Sequence, residues 1–197
     1  MIGTEQDGAH IFTSVQYYQN RTDGLYLLAC HSAGNMILPK PTAKMRIRFK
    51  DSYFDNYHQL LDYIQTGIPV GKLVADSLYF EDPPVKVLPY PPRIGDQWTY
   101  RKVPQDPFHI EKKIEGKETL RINNTAYECY KIRFLYDLDH DGLWDENIRL
   151  TDFISQEGLL QRTITVLGLT ETSIQLEETG RLIDTYEHYI LTDLTIQ

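Results

Sequence analysis

The chain has 197 residues, of which 41% are hydrophobic and 24% are charged, as in folded globular proteins and unlike disordered chains or coiled coils. Its formal net charge of -8 disfavours nucleic acid and anionic lipid surfaces as partners, because both attract basic proteins. Fourteen Tyr against 7 Phe and 2 Trp favour half-buried sheet surfaces, where the ring packs and the hydroxyl stays in water.

The chain begins with a predicted β-hairpin. Residues 9–18 and 24–31 have the composition of strands, and the Asp23-Gly24 pair between them is a strong hairpin signal. Residues 44–50 alternate apolar with basic side chains, which predicts a strand that is buried on one face.

One short helix and one proline-rich stretch follow. Apolar residues at helical spacing predict a helix over residues 55–65, with Asp55 as its cap. Residues 73–81 predict a strand that runs into the prolines of segment 83–92. Because proline cannot continue a central β-ladder, that segment is the one candidate subdomain boundary in a single domain of residues 1–197.

The second half of the chain contains regularly spaced short strand signals with turn residues between them and no helices. We therefore predict a mainly β fold, an antiparallel meander that forms a strongly curved sheet, a half-barrel or a sandwich, with one short helix. The predicted strands of this half are 97–103, 109–115, 119–122, 127–136, 146–154, 159–166, 173–178 and 182–194.

The sharpest chemical signal is the acidic sequence DLDHDGLWDE that starts at residue 137. It places Asp at relative positions 1, 3, 5 and 9 and Gly at position 6, which is the ligand spacing of an EF-hand-type calcium loop. We predict a structural calcium ion whose side-chain ligands are Asp137, Asp139, Asp141 and Asp145, with the carbonyl of Leu143 as a backbone ligand. Crowded carboxylates repel one another, which favours a bound cation.

This 137–145 loop departs from an EF-hand in two respects. Position 12 is Ile148 instead of a bidentate glutamate, a role that Glu146 could take, and the predicted flanking elements are strands. The alternative is an acidic hairpin turn with solvated carboxylates, since Asp and Gly favour turns. An all-oxygen ligand set with the single His140 nearby predicts neither zinc binding nor metal catalysis.

Cys30 and Cys129 both lie in strand-like apolar runs, where two buried free thiols are the more frequent arrangement and a disulfide is the alternative. Several tyrosines of the first 63 residues suggest two further alternatives, a sugar-stacking platform or ordinary cross-strand packing. They are Tyr17, Tyr18, Tyr26, Tyr53, Tyr57 and Tyr63. Paired acids near the C-terminus leave a hydrolase as a third functional reading, without a cue that sets their separation.

Residues 89–166 carry a progression of turn and packing motifs. GDQWTY at 95–100 matches G-x-x-W-x-Y, CYKI at 129–132 follows, and DFISQEGL at 152–159 comes after the acidic turn. This progression resembles bacterial secreted or lipoprotein-type β domains of unknown function. The resemblance implies a curved antiparallel sheet similar to the half-barrels of periplasmic lipoprotein carriers, and it implies no reaction.

The resemblance also implies residence outside the cytoplasm, in the periplasm or at the cell surface, with an export leader removed before residue 1. We expect membrane association only through a removed lipid anchor, because no apolar run is long enough to span a bilayer. The expected function is a noncatalytic binding or carrier module, stabilised by calcium, whose concave sheet face takes a lipid-like tail or a protein segment. A carbohydrate-binding module is the alternative, and a hydrolase ranks below both.

Overall fold

The computed structural model describes residues 12–34, 45–49, 52–54, 60, 64, 78–102, 109–138, 141–173 and 178–191. Within them the fold is mainly β, as the sequence predicts. The strands are β1 (Phe12–Arg21), β2 (Gly24–Gly34), β3 (Met45–Phe49), β4 (Ser52–Phe54), β5 (Leu78–Pro89), β6 (Gln97–Lys102), β7 (His109–Ile122), β8 (Thr125–Tyr136), β9 (Ile148–Ile154), β10 (Leu159–Ser173) and β11 (Glu178–Ile190).

The described strands form two antiparallel sheets. The smaller sheet has the order β1-β2-β5, and the larger has the order β4-β3-β10-β9-β8-β7-β6 with β11 added alongside β10. The 15-residue β10 pairs with β11 along one edge, and with β9 and then β3 along the other. One long strand therefore connects the N-terminal and C-terminal parts of the larger sheet.

Most predicted strands are confirmed, and one pair of them merges. The Asp23-Gly24 signal does mark a hairpin between β1 and β2. Strand β7 covers the predicted strands 109–115 and 119–122. Strand β10 covers 159–166 and extends to Ser173, whereas residues 174–177 of the predicted strand 173–178 lie outside the described residues. Both long strands contain register shifts, which interrupt the alternation of apolar residues.

The predicted helix and the proline segment have different outcomes. Leu60 and Ile64, the described residues of the predicted helix, are helical and fully buried. The segment after residue 82 does not end a strand, because β5 runs through Pro83 and Pro84. These prolines lie between Phe80 and Val85, where the pairing of β5 with β2 is interrupted by a register shift. Because β5 is an edge strand in the described part of the chain, no neighbouring strand requires a backbone N–H from them.

The main core lies between the two sheets. Leu25, Leu27 and Leu88 of the smaller sheet belong to the same buried cluster as Ile110 and Ile132 of the larger one. We call the surface of the larger sheet that takes part in this core its inner face. A smaller cluster on its outer face contains Ile122, Cys129, Phe153 and Leu160.

The two cysteines do not form a disulfide, as the more frequent arrangement of two free thiols predicts. Cys129 is buried on the outer face of the larger sheet, whereas Cys30 is half-buried on β2. Burial raises the pKa of the Cys129 thiol. Within the described ranges, no helix has the length and apolar character needed to cross a membrane.

We expect Gly24→Ala to destabilise the protein by about 2–4 kcal/mol, because the added methyl would overlap backbone. A Cβ at this position would lie 2.5 Å from the carbonyl oxygen of Leu88 on β5. Urea unfolding measures the change. Gly116→Ala is the control, since a Cβ there has no neighbour within 4 Å, and its effect should stay within about 0.5 kcal/mol. Equal effects of the two substitutions would contradict this packing at the first hairpin.

Candidate calcium loop and buried charge network

The 137–145 loop connects β8 to β9 and is fastened at its base. The Asp137 N–H donates to the carbonyl oxygen of His109 at 3.1 Å, and the Asp145 N–H donates to that of Tyr136 at 2.7 Å. Oδ2 of Asp145 accepts the Leu138 N–H at 3.0 Å. The flanking elements are strands, as predicted, so the loop is a strand connection and not a helix-loop-helix calcium site.

The predicted ligands differ in their surroundings. Asp137 is buried, and no hydrogen-bond donor reaches its Oδ1. Asp141 and Leu143 are exposed, and Oδ1 of Asp141 accepts the Leu143 N–H at 2.8 Å, a hydrogen bond typical of Asp in turns. Asp139 and His140 lie outside the described residues.

Within the described part of the chain, no three His, Cys, Asp or Glu side chains form a group that could hold a metal. This part contains three of the four predicted carboxylate ligands, Asp139 being the other. Calcium therefore stays a prediction. The observation in its favour is the buried Oδ1 of Asp137, because an ionised oxygen away from water costs free energy unless a donor or cation faces it.

A second polar group, which the sequence reading missed, lies in the main core. The carboxylate of Asp152 on β9 accepts two hydrogen bonds from Arg162 on β10, from Nε at 2.6 Å and from Nη2 at 2.9 Å. Nζ of Lys112 on β7 lies 3.3 Å from the same carboxylate. Lys112 and Asp152 are almost entirely buried, so we call these three residues the buried charge network.

Aromatic rings enclose the lysine of this network. Nζ of Lys112 lies 3.9 Å from the ring centroid of Tyr100 and 4.1 Å from that of Phe134. Both rings attract a cation electrostatically, which offsets part of the lost hydration. A separate ion pair between Arg101 and Glu81 lies nearby, with Nη1 of the arginine 2.9 Å from Oε2 of the glutamate.

Burial lowers the pKa of the Lys112 amine from 10.5 to about 7, since the charged form loses its water. The attraction of Asp152 opposes this shift, and the positive charges of Arg162 and Arg101 add to it. The Asp152 carboxyl is fully buried as well, yet the two cations beside it lower its pKa. The network is therefore internally paired and closed to solvent, which suits a structural role better than attack on a substrate.

A signal for the network exists in the sequence. Lys112 lies between Ile110 and Ile114, and Asp152 lies between Leu150 and Ile154, at alternate positions of predicted strands. Alternate residues share a face of a sheet, so both charged side chains fall on apolar faces. Opposite charges on the buried faces of two strands predict an internal ion pair.

The described tyrosines of the alternative sugar-stacking platform do not share one surface. Tyr17 is exposed, whereas its neighbour Tyr18 points to the other side of β1 and packs against the main core. The ring of Tyr26 contacts the cations of Arg21 and Lys86. Tyr53 is exposed on β4, and the remaining two tyrosines of the set, at 57 and 63, lie outside the described residues.

No protein-family model, no curated protein and no solved structure matches this chain. The resemblance to secreted or lipoprotein-type domains therefore stays a prediction.

We expect the free energy of unfolding to rise by about 2 kcal/mol between pH 7.5 and pH 9.5 because of Lys112. The unfolded chain keeps this proton up to about pH 10.5, whereas the folded chain releases it above about pH 7. The unfolded state thus binds more protons in this window, so stability increases with pH and is lost as pH falls towards 7. The buried tyrosines, whose pKa values are raised from 10, act with the opposite sign at higher pH.

Urea unfolding across this window measures the slope for the unaltered chain and for Lys112→Met. The substitution removes the titrating amine and should flatten the slope relative to the unaltered chain. Lys113→Met is the matched control, because this neighbouring lysine is exposed, and it should keep the slope. A slope that survives Lys112→Met would show that this amine is not the responsible group.

Proposed function

We propose that this chain is a noncatalytic binding module of an exported protein, that it binds an apolar segment of another protein, and that calcium stabilises it. The observation that carries the proposal is an exposed apolar surface on the three-stranded sheet. The inner face of the larger sheet is filled by core side chains such as Ile110 and Ile132, which are fully buried. We therefore place binding on the smaller sheet and not on a concave face of the larger one.

The proposed surface comprises two neighbouring rows across β1, β2 and β5. Tyr17 and Phe80 lie on either side of Ala29 in one row, and Val15 and Leu78 lie on either side of β2 in the next. Tyr17 is 49% exposed and Phe80 66%. We call Val15, Tyr17, Leu78 and Phe80 the apolar surface of the small sheet. His31 of β2 lies between Val15 and Leu78, so the surface is a cluster of exposed apolar groups, which marks an interaction site more often than a single exposed residue does.

The shape of this surface favours a protein partner over a free lipid or other small ligand. A ligand pocket buries most of a small molecule's area by surrounding it. A pleated sheet surface contacts its ligand from one side only, which is how protein interfaces with an apolar centre are built. Aromatic anchors such as Tyr17 and Phe80 are the residue types that contribute most of the free energy in such interfaces.

Calcium has a supporting role in this proposal. The 137–145 loop joins β8 and β9, two strands of the larger sheet whose buried residues form the core. A cation facing Oδ1 of Asp137 would neutralise the buried carboxylate and hold the loop ends together. The oxygen ligands would serve stability, not catalysis.

A carbohydrate-binding module is the second candidate, and Tyr17 and Trp144 favour it. Both rings are partly exposed, and Trp144 belongs to the predicted calcium loop, where its ring meets that of His109 edge to face with centroids 5.9 Å apart. Sugars stack on exposed aromatic rings. The apolar neighbours of Tyr17 make an apolar protein segment the better match for the small sheet.

We expect the double substitution Tyr17→Ser, Phe80→Ser to abolish binding of an extended peptide of alternating leucine and serine, because it removes both aromatic anchors. Isothermal titration calorimetry measures binding to the unaltered chain and the variant. The control is Ile94→Ser, which removes an exposed apolar side chain from the connection between β5 and β6 and should leave binding unchanged. Absence of peptide binding by the unaltered chain, combined with Tyr17-dependent binding of cellohexaose, would overturn the proposal in favour of the carbohydrate module.

We expect calcium to raise the thermal midpoint of the unaltered chain above its value in EGTA, because a ligand of the native state stabilises it. Asp137→Asn should remove this response. In EGTA the same variant should gain about 1 kcal/mol in stability, since it replaces a carboxylate whose Oδ1 is buried without a hydrogen-bond donor by a neutral amide.

Differential scanning calorimetry measures both effects. Asp96→Asn is the control, because Asp96 is a half-buried turn carboxylate that already accepts the N–H of Arg93, and it should retain the calcium response. If calcium leaves the unaltered chain unchanged, the loop is an acidic turn and the calcium part of the proposal fails.

A further inference from the structure

Strand β11 is an edge strand of the larger sheet. It pairs with β10 along one edge, and within the described ranges no strand pairs with it along the other. An edge strand presents backbone N–H and C=O groups to any extended segment that approaches, so a long one is a template for further pairing. Strand β11 has 13 residues, which is long for an exposed edge.

The C-terminal part of β11 pairs regularly with β10. Its other edge is therefore suited to pairing with another strand. Two irregularities interrupt the ladder of β11 with β10. Residues 179–181 of β11 oppose residue 171, on the N-terminal side of Leu182, and residues 167 and 168 of β10 together oppose Asp184. The Gly168 N–H donates to Oδ1 of Asp184 at 2.9 Å and so fixes this bulge. Between Ile183 and Ile190 the pairing of β11 with β10 is interrupted only at Asp184, opposite this bulge. From Thr185 to Ile190 the pairing is continuous.

Alternate side chains of β11 point away from the core and are exposed. Tyr186 is 71% exposed, and Leu182 and Ile190 are 64% and 53% exposed. Asp184 and His188, the residues between them on the same side, are exposed as well. By contrast, Tyr189 packs against the main core, which fixes the opposite side of the strand as the inner one.

These exposed residues form a pattern that is symmetric about Tyr186. If a second copy of β11 pairs antiparallel with the first, centred on this residue, Tyr186 faces its own copy. Asp184 then faces His188 of the second copy, and Leu182 faces Ile190. Acid opposite base, apolar opposite apolar and aromatic opposite aromatic are the pairs that stabilise adjacent antiparallel strands.

We propose that two copies of this chain associate through β11, antiparallel about a two-fold axis at Tyr186, so that their larger sheets become continuous. The charge and apolar complementarity of β11 with itself points to a second copy in preference to an unrelated peptide. The two-fold axis repeats the Asp184–His188 and Leu182–Ile190 pairs on both sides of the centre. A shift of the register by two residues would place Asp184 opposite Tyr186, so that neither the Asp184–His188 pair nor the Leu182–Ile190 pair would form.

Cysteine cross-linking tests the register directly. In a Cys30→Ser background, which leaves only the buried Cys129, Tyr186→Cys should form a disulfide-linked dimer under mild oxidation, because each cysteine faces its own copy. Leu182→Cys alone should not cross-link, whereas a mixture of Leu182→Cys and Ile190→Cys chains should. Tyr17→Cys, an exposed position on the other sheet, is the control for random collision.

Sedimentation equilibrium tests the association without cross-links. Tyr186→Arg places two like charges on the axis and should weaken the dimer at least tenfold, and His188→Asp should weaken it through repulsion from Asp184. Tyr17→Arg should leave it unchanged. A monomer at all concentrations, or equal cross-linking at Tyr186→Cys and Tyr17→Cys, would overturn the proposal. Cross-linking of Leu182→Cys to itself would overturn the register, and a dimer insensitive to Tyr186→Arg would overturn the interface.

Discussion

The fold depends on one carboxylate in its interior. Asp152 holds the guanidinium of Arg162 with two hydrogen bonds and the amine of Lys112 at 3.3 Å. These groups come from three strands, β7, β9 and β10, so the network requires a single register of the larger sheet: a one-residue slip would turn a charged side chain to the opposite face. Hydrophobic residues would give a core of similar volume, but they would not select the register as sharply.

The buried charge network also limits where function can lie. Its cations are paired with Asp152, and the rings of Tyr100 and Phe134 lie over the amine of Lys112, so these groups stabilise the core. The groups that remain for recognition are on the outside: the apolar surface of the small sheet, the exposed edge of β11 and the 137–145 loop.

Most of the fold was predictable because alternation and turn chemistry are local. The Asp23-Gly24 hairpin and the strand of residues 127–136 follow directly from such signals. Strand β4 has three residues, too few to show an alternation of apolar and polar side chains. The bulges of β7 and β10 interrupt this alternation in two long strands. Lys112 and Asp152 occupy positions where apolar residues are expected, but the sequence did not predict that they pair. The two residues are 40 positions apart, and local patterns do not indicate which distant strands become neighbours.

The long strand β10 has a consequence for how the chain is completed during synthesis. Ile47 of β3 pairs with Glu171 of β10, so an early segment finds its neighbour only near the end of the sequence. Closing so long a loop has an entropic cost that local hairpins avoid. The hairpins of β1 with β2, of β3 with β4 and of β7 with β8 can form as they emerge from the ribosome, whereas the β3–β4 hairpin joins the larger sheet only after β10 has been made.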